Sequence, residues 1–277
     1  MRIRVLTLNI QGGDGDPARA ALISDGIRRL DPDLVALQEV PRDPGPYLDG
    51  TGLHVTHQSD VLAHPMPFED RYGGAAVATR GPHRVLEVLD QRGADAPDVP
   101  WCTLAAEVDV PELGRLLFIA TTLSWRLDAE AARERQAIAL TDLDARHRGP
   151  LPTVLAGDFN ATPDAASIRY LTGLQSLHGR SVHYHDAWAV AHARSAAPGY
   201  TWTTDNPNAA EEIGAIVRQP DHHRRLDYVF LGSWHAHPHG RAEVRAADLA
   251  FDHDTDGTWP SDHYGLVVDI DVTADAD

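Results

Sequence analysis

Residues 153–161 read Thr153-Val154-Leu155-Ala156-Gly157-Asp158-Phe159-Asn160-Ala161. A short apolar, β-prone run bounded by a turn signal reads as a buried strand, here one that delivers a carboxylate and an amide at its tip. Working backwards, Ala129–Arg146 predicts the best helix of the chain, with Ala132, Ile138, Leu140 and Leu143 inward and Glu and Arg outward. Before it, Leu104–Val110 and Arg115–Thr122 read as strands, as do Ala75–Thr79 and Leu34–Val40, the last delivering Glu39 at its end.

At the N-terminus, Met1–Gln11 is apolar on both parities: Ile3 and Val5 alternate with Leu6, Leu8 and Ile10, the pattern of a strand in a sheet covered on both faces. Pro17 opens a helix carrying Ala18, Leu22, Ile23, Ile27 and Leu30, stopped by Asp31-Pro32-Asp33. Beyond residue 161, a helix is expected at Ala165–Leu171 and strands at Leu226–Leu231 and Tyr264–Val272. The stretches 194–225 and 233–262 read as long functional or mobile loops. No linker, repeat or composition shift divides the chain, so residues 1–277 are expected to form a single domain of mixed strands and helices.

The chain has 24 Lys+Arg, all of them arginine, against 41 Asp+Glu, a formal charge of −17. That balance disfavours non-specific gripping of nucleic acid, which relies on cations replacing condensed counterions. The longest apolar runs fall far short of the ~18–20 residues of a membrane span, no secretory leader pattern opens the chain, and the expected compartment is the cytosol. The single cysteine, Cys102, excludes an intramolecular disulfide and a Cys-based zinc cluster and reads as a small apolar residue.

Polar side chains repeatedly terminate the apolar strands: Asn9, Glu39, Asp158 with Asn160, Asp227, and Asp262-His263. Strand ends can present groups to a shared cleft while their apolar bodies anchor them. Asp158 and Asn160, two apart in an extended segment, would project to one side. Carboxylates and an amide without a thiolate make a hard-oxygen environment suited to Mg²⁺ or Mn²⁺. His263 adds a group that titrates near neutrality, and Asp227 could fix its tautomer.

Taken in order, Leu8-Asn9-Ile10, Leu37-Gln38-Glu39-Val40, Gly157-Asp158-Phe159-Asn160-Ala161, Arg225-Leu226-Asp227-Tyr228-Val229-Phe230 and Ser261-Asp262-His263 resemble the endonuclease/exonuclease/phosphatase superfamily from Ile3 to Val268. The resemblance implies an α/β (α+β) four-layer sandwich: two mixed β-sheets packed face to face with helices outside. It also implies metal-dependent attack of water on a phosphate ester. By the same resemblance Glu39 is the principal metal ligand, helped by Asn9 and Asp262. Asp158 orients or deprotonates the water, Asn160 holds a phosphate oxygen, and His263, partnered by Asp227, contacts the phosphate or transfers a proton. The substrate expected is a phosphorylated small molecule, monoester or diester. A nuclease taking short single strands is the alternative, and no membrane partner is expected.

One position departs from the pattern. Where family members usually carry Thr-His-Leu before the long helix, this chain has Thr121-Thr122-Leu123. Thr122 can donate a hydrogen bond but carries no charge, so a non-catalytic binding homologue is a further alternative, and Arg126 is the expected source of the missing charge. Trp125, Tyr200 and Trp202 could stack on a flat group at the rim or pack in the core. The run Arg218, His222, His223, Arg224, Arg225 is the best phosphate-attracting patch, with Arg225 the substrate-binding candidate, although a solvated loop is the blander reading. His235, His237 and His239 read as a solvated loop, and Asp252, Asp254, Asp256 and Gly257 as an acidic loop leading into the site.

Overall fold

The computed structural model describes residues 1–13, 16–195 and 197–274. Its strands, in chain order, are β1 (Arg2–Asn9), β2 (Leu34–Val40), β3 (His54–His57), β4 (Gly74–Thr79), β5 (His83–Asp90), β6 (Cys102–Val110) and β7 (Gly114–Thr122). They continue with β8 (Val154–Asp158), β9 (Tyr184–Asp186), β10 (Trp202–Thr203), β11 (His223–Arg224), β12 (Asp227–Gly232), β13 (Gly240–Ala250) and β14 (Gly265–Ala274). They form two six-stranded sheets, ordered β13-β14-β1-β2-β4-β3 and β5-β6-β7-β8-β12-β9, and a separate two-stranded β10-β11 ribbon. Both large sheets are mixed: β1 runs parallel to β2 and antiparallel to β14, while β7 runs parallel to β8 and β8 antiparallel to β12.

The two apolar parities of β1 explain the layering. Ile3 and Val5 join Leu34, Val77, Phe118, Val154, Val229 and Val268 in the core between the sheets. Leu6, Leu8 and Ile10 face the other way, onto Ile23 and Ile27 of the helix Ala18–Leu30. On the second sheet, Leu117, Ile119, Leu155 and Phe230 are covered by Ala137, Leu140 and Leu143 of the helix Glu130–His147 and by Ile168 and Leu171 of the helix Ala166–Leu171. The architecture is therefore the expected four-layer sandwich.

Three local expectations are corrected. The stretch 233–262 contains the eleven-residue edge strand β13. Its inward set shifts from Ala242 and Val244 to Ala247 and Leu249 across a bulge between Val244 and Ala246, which breaks the period-two pattern. The same device hides β5, whose inward residues are Val85 and Val88 with a bulge between Val85 and Glu87. In the stretch 194–225, the helix Pro207–Ile216 and the β10-β11 ribbon share a small core of Trp202, Ala209, Ile213 and Leu226. Finally, the helix Glu130–His147 turns Arg133 inward, where its guanidinium donates to Ser124 O (2.9 Å) and Arg126 O (2.7 Å) and satisfies the turn that follows β7.

The topology brings the polar strand ends together. The C-terminal ends of the parallel pairs β1/β2 and β7/β8 and the N-terminal ends of their antiparallel neighbours β14 and β12 meet at one edge of the sandwich.

Candidate active site

Asn9, wholly buried at the end of β1, donates through Nδ2 to Glu39 Oε1 (3.0 Å) and to Asp158 Oδ2 (3.2 Å), thereby linking the two sheets. Its Oδ1 accepts from the backbone N–H of Gln11 at 3.0 Å. Because that N–H can only donate, the amide orientation is forced, and Asn9 turns nitrogen rather than oxygen toward the carboxylates. In this arrangement Asn9 positions the carboxylates and does not present its oxygen as a metal ligand. Glu39 sits with φ 56° in the left-handed region, inside the irregular pairing of β2 with β4 between Leu37 and Val40. Gly73 packs against it so closely that a Cβ there would lie 2.4 Å from Glu39 C.

On the second sheet, Asp158 ends β8 in register with Thr122 of β7 and Asp227 of β12. Gly157 is required just before it, since a Cβ there would lie 1.9 Å from Thr121 O. Asn160 is not extended: with φ 50° it turns the chain back, its N–H donating to Asp158 Oδ1 (2.8 Å) and its Nδ2 to Asp158 Oδ2 and Leu123 O, each at 3.2 Å. The two side chains thus meet through a turn, not through the pleat. His263 Nδ1 pairs with Asp227 Oδ2 at 2.9 Å, and its Nε2 lies 4.0 Å from Asp158 Oδ2. The Ser261-Asp262-His263 turn is held by Ser261 Oγ donating to Asn9 O (2.6 Å), by Asn206 Nδ2 on Ser261 O and Asp262 O, and by Arg19 on Pro260 O.

Crowded, buried acids hold their protons. Burial, then the charge of Asp262, pushes the Glu39 carboxyl up to about 8 against the opposing Asn9 hydrogen bond. Burial, then Asp227, pushes Asp158 up to about 7. Burial works against the His263 imidazolium, but Asp227, Asp158 and Asp262 outweigh it and hold its pKa well above the ordinary histidine range. Among the described residues, no guanidinium is ion-paired with Glu39, Asp158, Asp227 or Asp262. Such a set of carboxylate oxygens without a guanidinium partner, with Glu39 and Asp158 raised in proton affinity, fits a hard divalent ion, and Glu39 and Asp262 line the cleft without a hydrogen bond or ion pair to His263. Asp158, Asp227 and His263 also bring ligand atoms within 4.8 Å of one another, but there the imidazole Nδ1 is already committed to Asp227.

These groups open into a cleft of about 320 Å³ lined by Glu39, Asp158, Asn160, Asp262 and His263, with Trp125 and Trp202 on its walls. Three expected substrate contacts lie elsewhere. Arg225 is buried (5% exposed) in a two-pronged pair with Asp186, 3.0 and 2.7 Å, beneath the Tyr228 ring. Arg126 points to solvent and pairs with Asp128. Thr122 is 0% exposed, and its hydroxyl has no partner among the described residues. Sequence reasoning missed Arg71, Tyr72, Trp101, Glu212 and Leu226 as cleft residues, and only grouped Arg224 in a patch. It also missed Thr201, whose Oγ1 accepts from the N–H groups of Leu226 and Asp227. His237, read as solvated, is 1% exposed and accepts from Thr153 N. Tyr200 stacks on His223, and no helix among the described residues is long and apolar enough to cross a membrane.

The pattern of the Endonuclease/Exonuclease/phosphatase family matches residues 6–263. The chain belongs to this family. The endonuclease/exonuclease/phosphatase fold is shared with D. rerio TDP2 complexed with single strand DNA product (TM-score 0.75, 20% identity, 98% of this chain and 99% of that one). It is shared too with the human Nocturnin catalytic domain with bound sulfate anion (0.69, 22% identity, 98% and 95%) and with an endonuclease/exonuclease/phosphatase from Bacteroides vulgatus (0.69, 17%, 99% and 100%). No curated protein matches significantly in sequence. Family membership places the chain among hydrolases of phosphate esters.

Proposed function

We propose that this endonuclease/exonuclease/phosphatase protein is a Mg²⁺- or Mn²⁺-dependent phosphoesterase that hydrolyses a phosphomonoester or phosphodiester of a small molecule. The observation that carries the reading is the convergence of Glu39, Asp262, Asp158 and His263 on one cleft, cross-linked by Asn9 and Asp227. A divalent ion held by Glu39 and Asp262 would supply Lewis-acid charge at a phosphate oxygen.

The chain's own groups account for the proton movements. Asp158, with a proton affinity near neutrality, is suited to take the proton of an attacking water. The His263 imidazolium donates Nδ1–H to Asp227, which fixes the ring and leaves Nε2–H to donate to a phosphate oxygen. Asn160 can exchange its 3.2 Å bond to Asp158 for a phosphate oxygen. The charge of −17 supports a small substrate over a polynucleotide. The second reading, hydrolysis of short single strands, is supported by the exposed indole of Trp125 on the rim, where a base could stack.

The test is hydrolysis of an aryl phosphomonoester, an aryl phosphodiester, sugar phosphates, nucleotides and a single-stranded oligonucleotide, each with Mg²⁺, Mn²⁺ or EDTA. Turnover abolished by EDTA and by Glu39→Ala or His263→Ala in folded protein is the expected result, and the best substrate chooses between the two readings. Phosphate binding without turnover across the panel would sink both and favour the non-catalytic homologue that Thr122 raises.

A further inference from the structure

The cleft has a charge problem. Its floor carries Glu39, Asp158 and Asp262, with Asp227 buried behind His263, against one imidazolium, and the substrate proposed for it is an anion. The residue in register beside Asp158, Thr122, is buried and uncharged, so β7 brings no cation to the cleft. Arg126 and Arg225, the neighbouring candidates, are both committed to carboxylates, and Arg71, also on the cleft wall, is exposed and lies over the Tyr72 ring.

Arg224 is not committed. It is half-buried, it lines the cleft with Asp158, Asn160 and His263, and its guanidinium makes no hydrogen bond or ion pair among the described residues. Among the described residues the other arginines that are not exposed, such as Arg4, Arg133 and Arg225, all hold a hydrogen bond or an ion pair. Burial, and then the positive charge of Arg133, lowers the Arg224 pKa, while Asp164 and Asp158 act in the opposite sense. Arg133 holds Ser124 O at the turn after β7. Arg224 thus faces the same cleft as Asp158 and Asn160. The backbone beneath it is fixed: Arg224 pairs with Trp202 across the ribbon, Thr201 N donates to Arg224 O at 2.9 Å, and Trp202 is anchored among Ala209, Ile213 and Leu226. A partly desolvated, unpaired guanidinium on a rigid support is poised for an anion, and its planar fork matches two oxygens of one phosphate.

We propose that Arg224 is the phosphate anchor of this cleft, binding two non-bridging oxygens of the substrate beside Asp158 and Asn160. The proposal rests on the phosphoesterase reading for its ligand, but its test does not require turnover. Inorganic phosphate is titrated by calorimetry into the Mg²⁺-loaded protein, wild type and Arg224→Gln, Arg224→Lys and Arg180→Gln, the last from a surface pair with Asp142. Arg224→Gln is expected to weaken phosphate binding by at least about ten-fold, Arg224→Lys to restore part of it, and Arg180→Gln to leave it unchanged. Melting temperature supplies a second readout: an unpaired, half-buried cation stabilises nothing, so Arg224→Gln should melt at or above the wild-type temperature. Equal phosphate affinity in Arg224→Gln and wild type, or no measurable phosphate binding by wild type, overturns the proposal. If wild type binds phosphate through Arg224 yet hydrolyses none of the panel, the phosphoesterase reading fails while the anchor stands.

Discussion

Asp158 and Asp227 stand directly opposite each other across the β8/β12 pairing, and one imidazole, that of His263, spans them. Like charges directly opposite in a sheet repel, and the site tolerates them because the imidazolium lies between and Asp158 retains its proton up to about 7.

A pH dependence follows with a definite sign. Glu39 (about 8), Asp158 (about 7) and His263 all have folded pKa values above the ordinary ones, so the metal-free folded protein binds more protons than the unfolded chain. Their contribution to stability is complete below the unfolded pKa values and is lost as pH rises through the folded ones. In EDTA the melting temperature should fall from about pH 6 to about pH 9, and the gain on adding Mg²⁺, which replaces protons on the carboxylates, should grow over the same range. A melting temperature in EDTA that rises with pH across this window would contradict the assignment.

Asn9→Ala removes the donor shared by Glu39 and Asp158 and leaves two crowded carboxylates facing each other. Turnover should drop by about 10²–10³-fold, the scale of a lost preorganised donor, and Mg²⁺ affinity should change with it. Steady-state kinetics and calorimetry on folded Asn9→Ala check this; turnover within a few-fold of wild type would show that Asn9 is a spectator.

Gly73→Ala places a Cβ 2.4 Å from the backbone carbon of Glu39, at a backbone φ of 69°. Relief requires moving Glu39 itself, so stability should fall by about 1–3 kcal/mol in urea unfolding, and Mg²⁺ affinity should fall in the folded fraction. Unchanged Mg²⁺ affinity would mean that the strained backbone at Glu39 is irrelevant to the ion.

Arg225→Ala behaves differently from substitutions at Arg224. It strands the buried Asp186 carboxylate, and the cost should be about 3–5 kcal/mol in denaturant unfolding. For the folded fraction KM should stay close to wild type, and a KM effect without loss of stability would return Arg225 to the substrate.

Thr122→Val replaces a buried hydroxyl that has no partner among the described residues by a methyl of similar size. The variant should be as stable as wild type or more so, by up to about 1–2 kcal/mol, with turnover unchanged. A large loss of kcat would show that the hydroxyl contacts the reacting phosphate.

The sequence exposed those parts of the fold whose apolar pattern runs unbroken. The strands β1, β2, β7, β8 and β12 carry continuous apolar runs with polar tips, and those tips are the residues that meet at the cleft. β5 and β13 were hidden because a bulge moves the inward set to the other parity midway. The exchange of Arg225 for Arg224 has an equally local cause. Arg224 is placed at the cleft by its pairing with Trp202, 22 positions earlier in the chain, whereas Arg225 lies just past the end of β11 and pairs with Asp186, and neither partner is legible from the run of basic residues. The helical pattern points Arg133 to solvent because it cannot reveal that the adjoining turn needs a donor for its carbonyls.

The β10-β11 ribbon and the helix Pro207–Ile216 form an appendage with its own small core, attached to the sandwich near the edge where the polar strand ends meet. Arg224, Trp202, Glu212 and Ile216, which line the cleft, all belong to it, whereas Asn9, Glu39 and Asp158 belong to the sheets. Selection can therefore act on the two inventories separately: a lineage can acquire a new ligand by drift within about twenty-five residues while its carboxylate and histidine floor stays as it was.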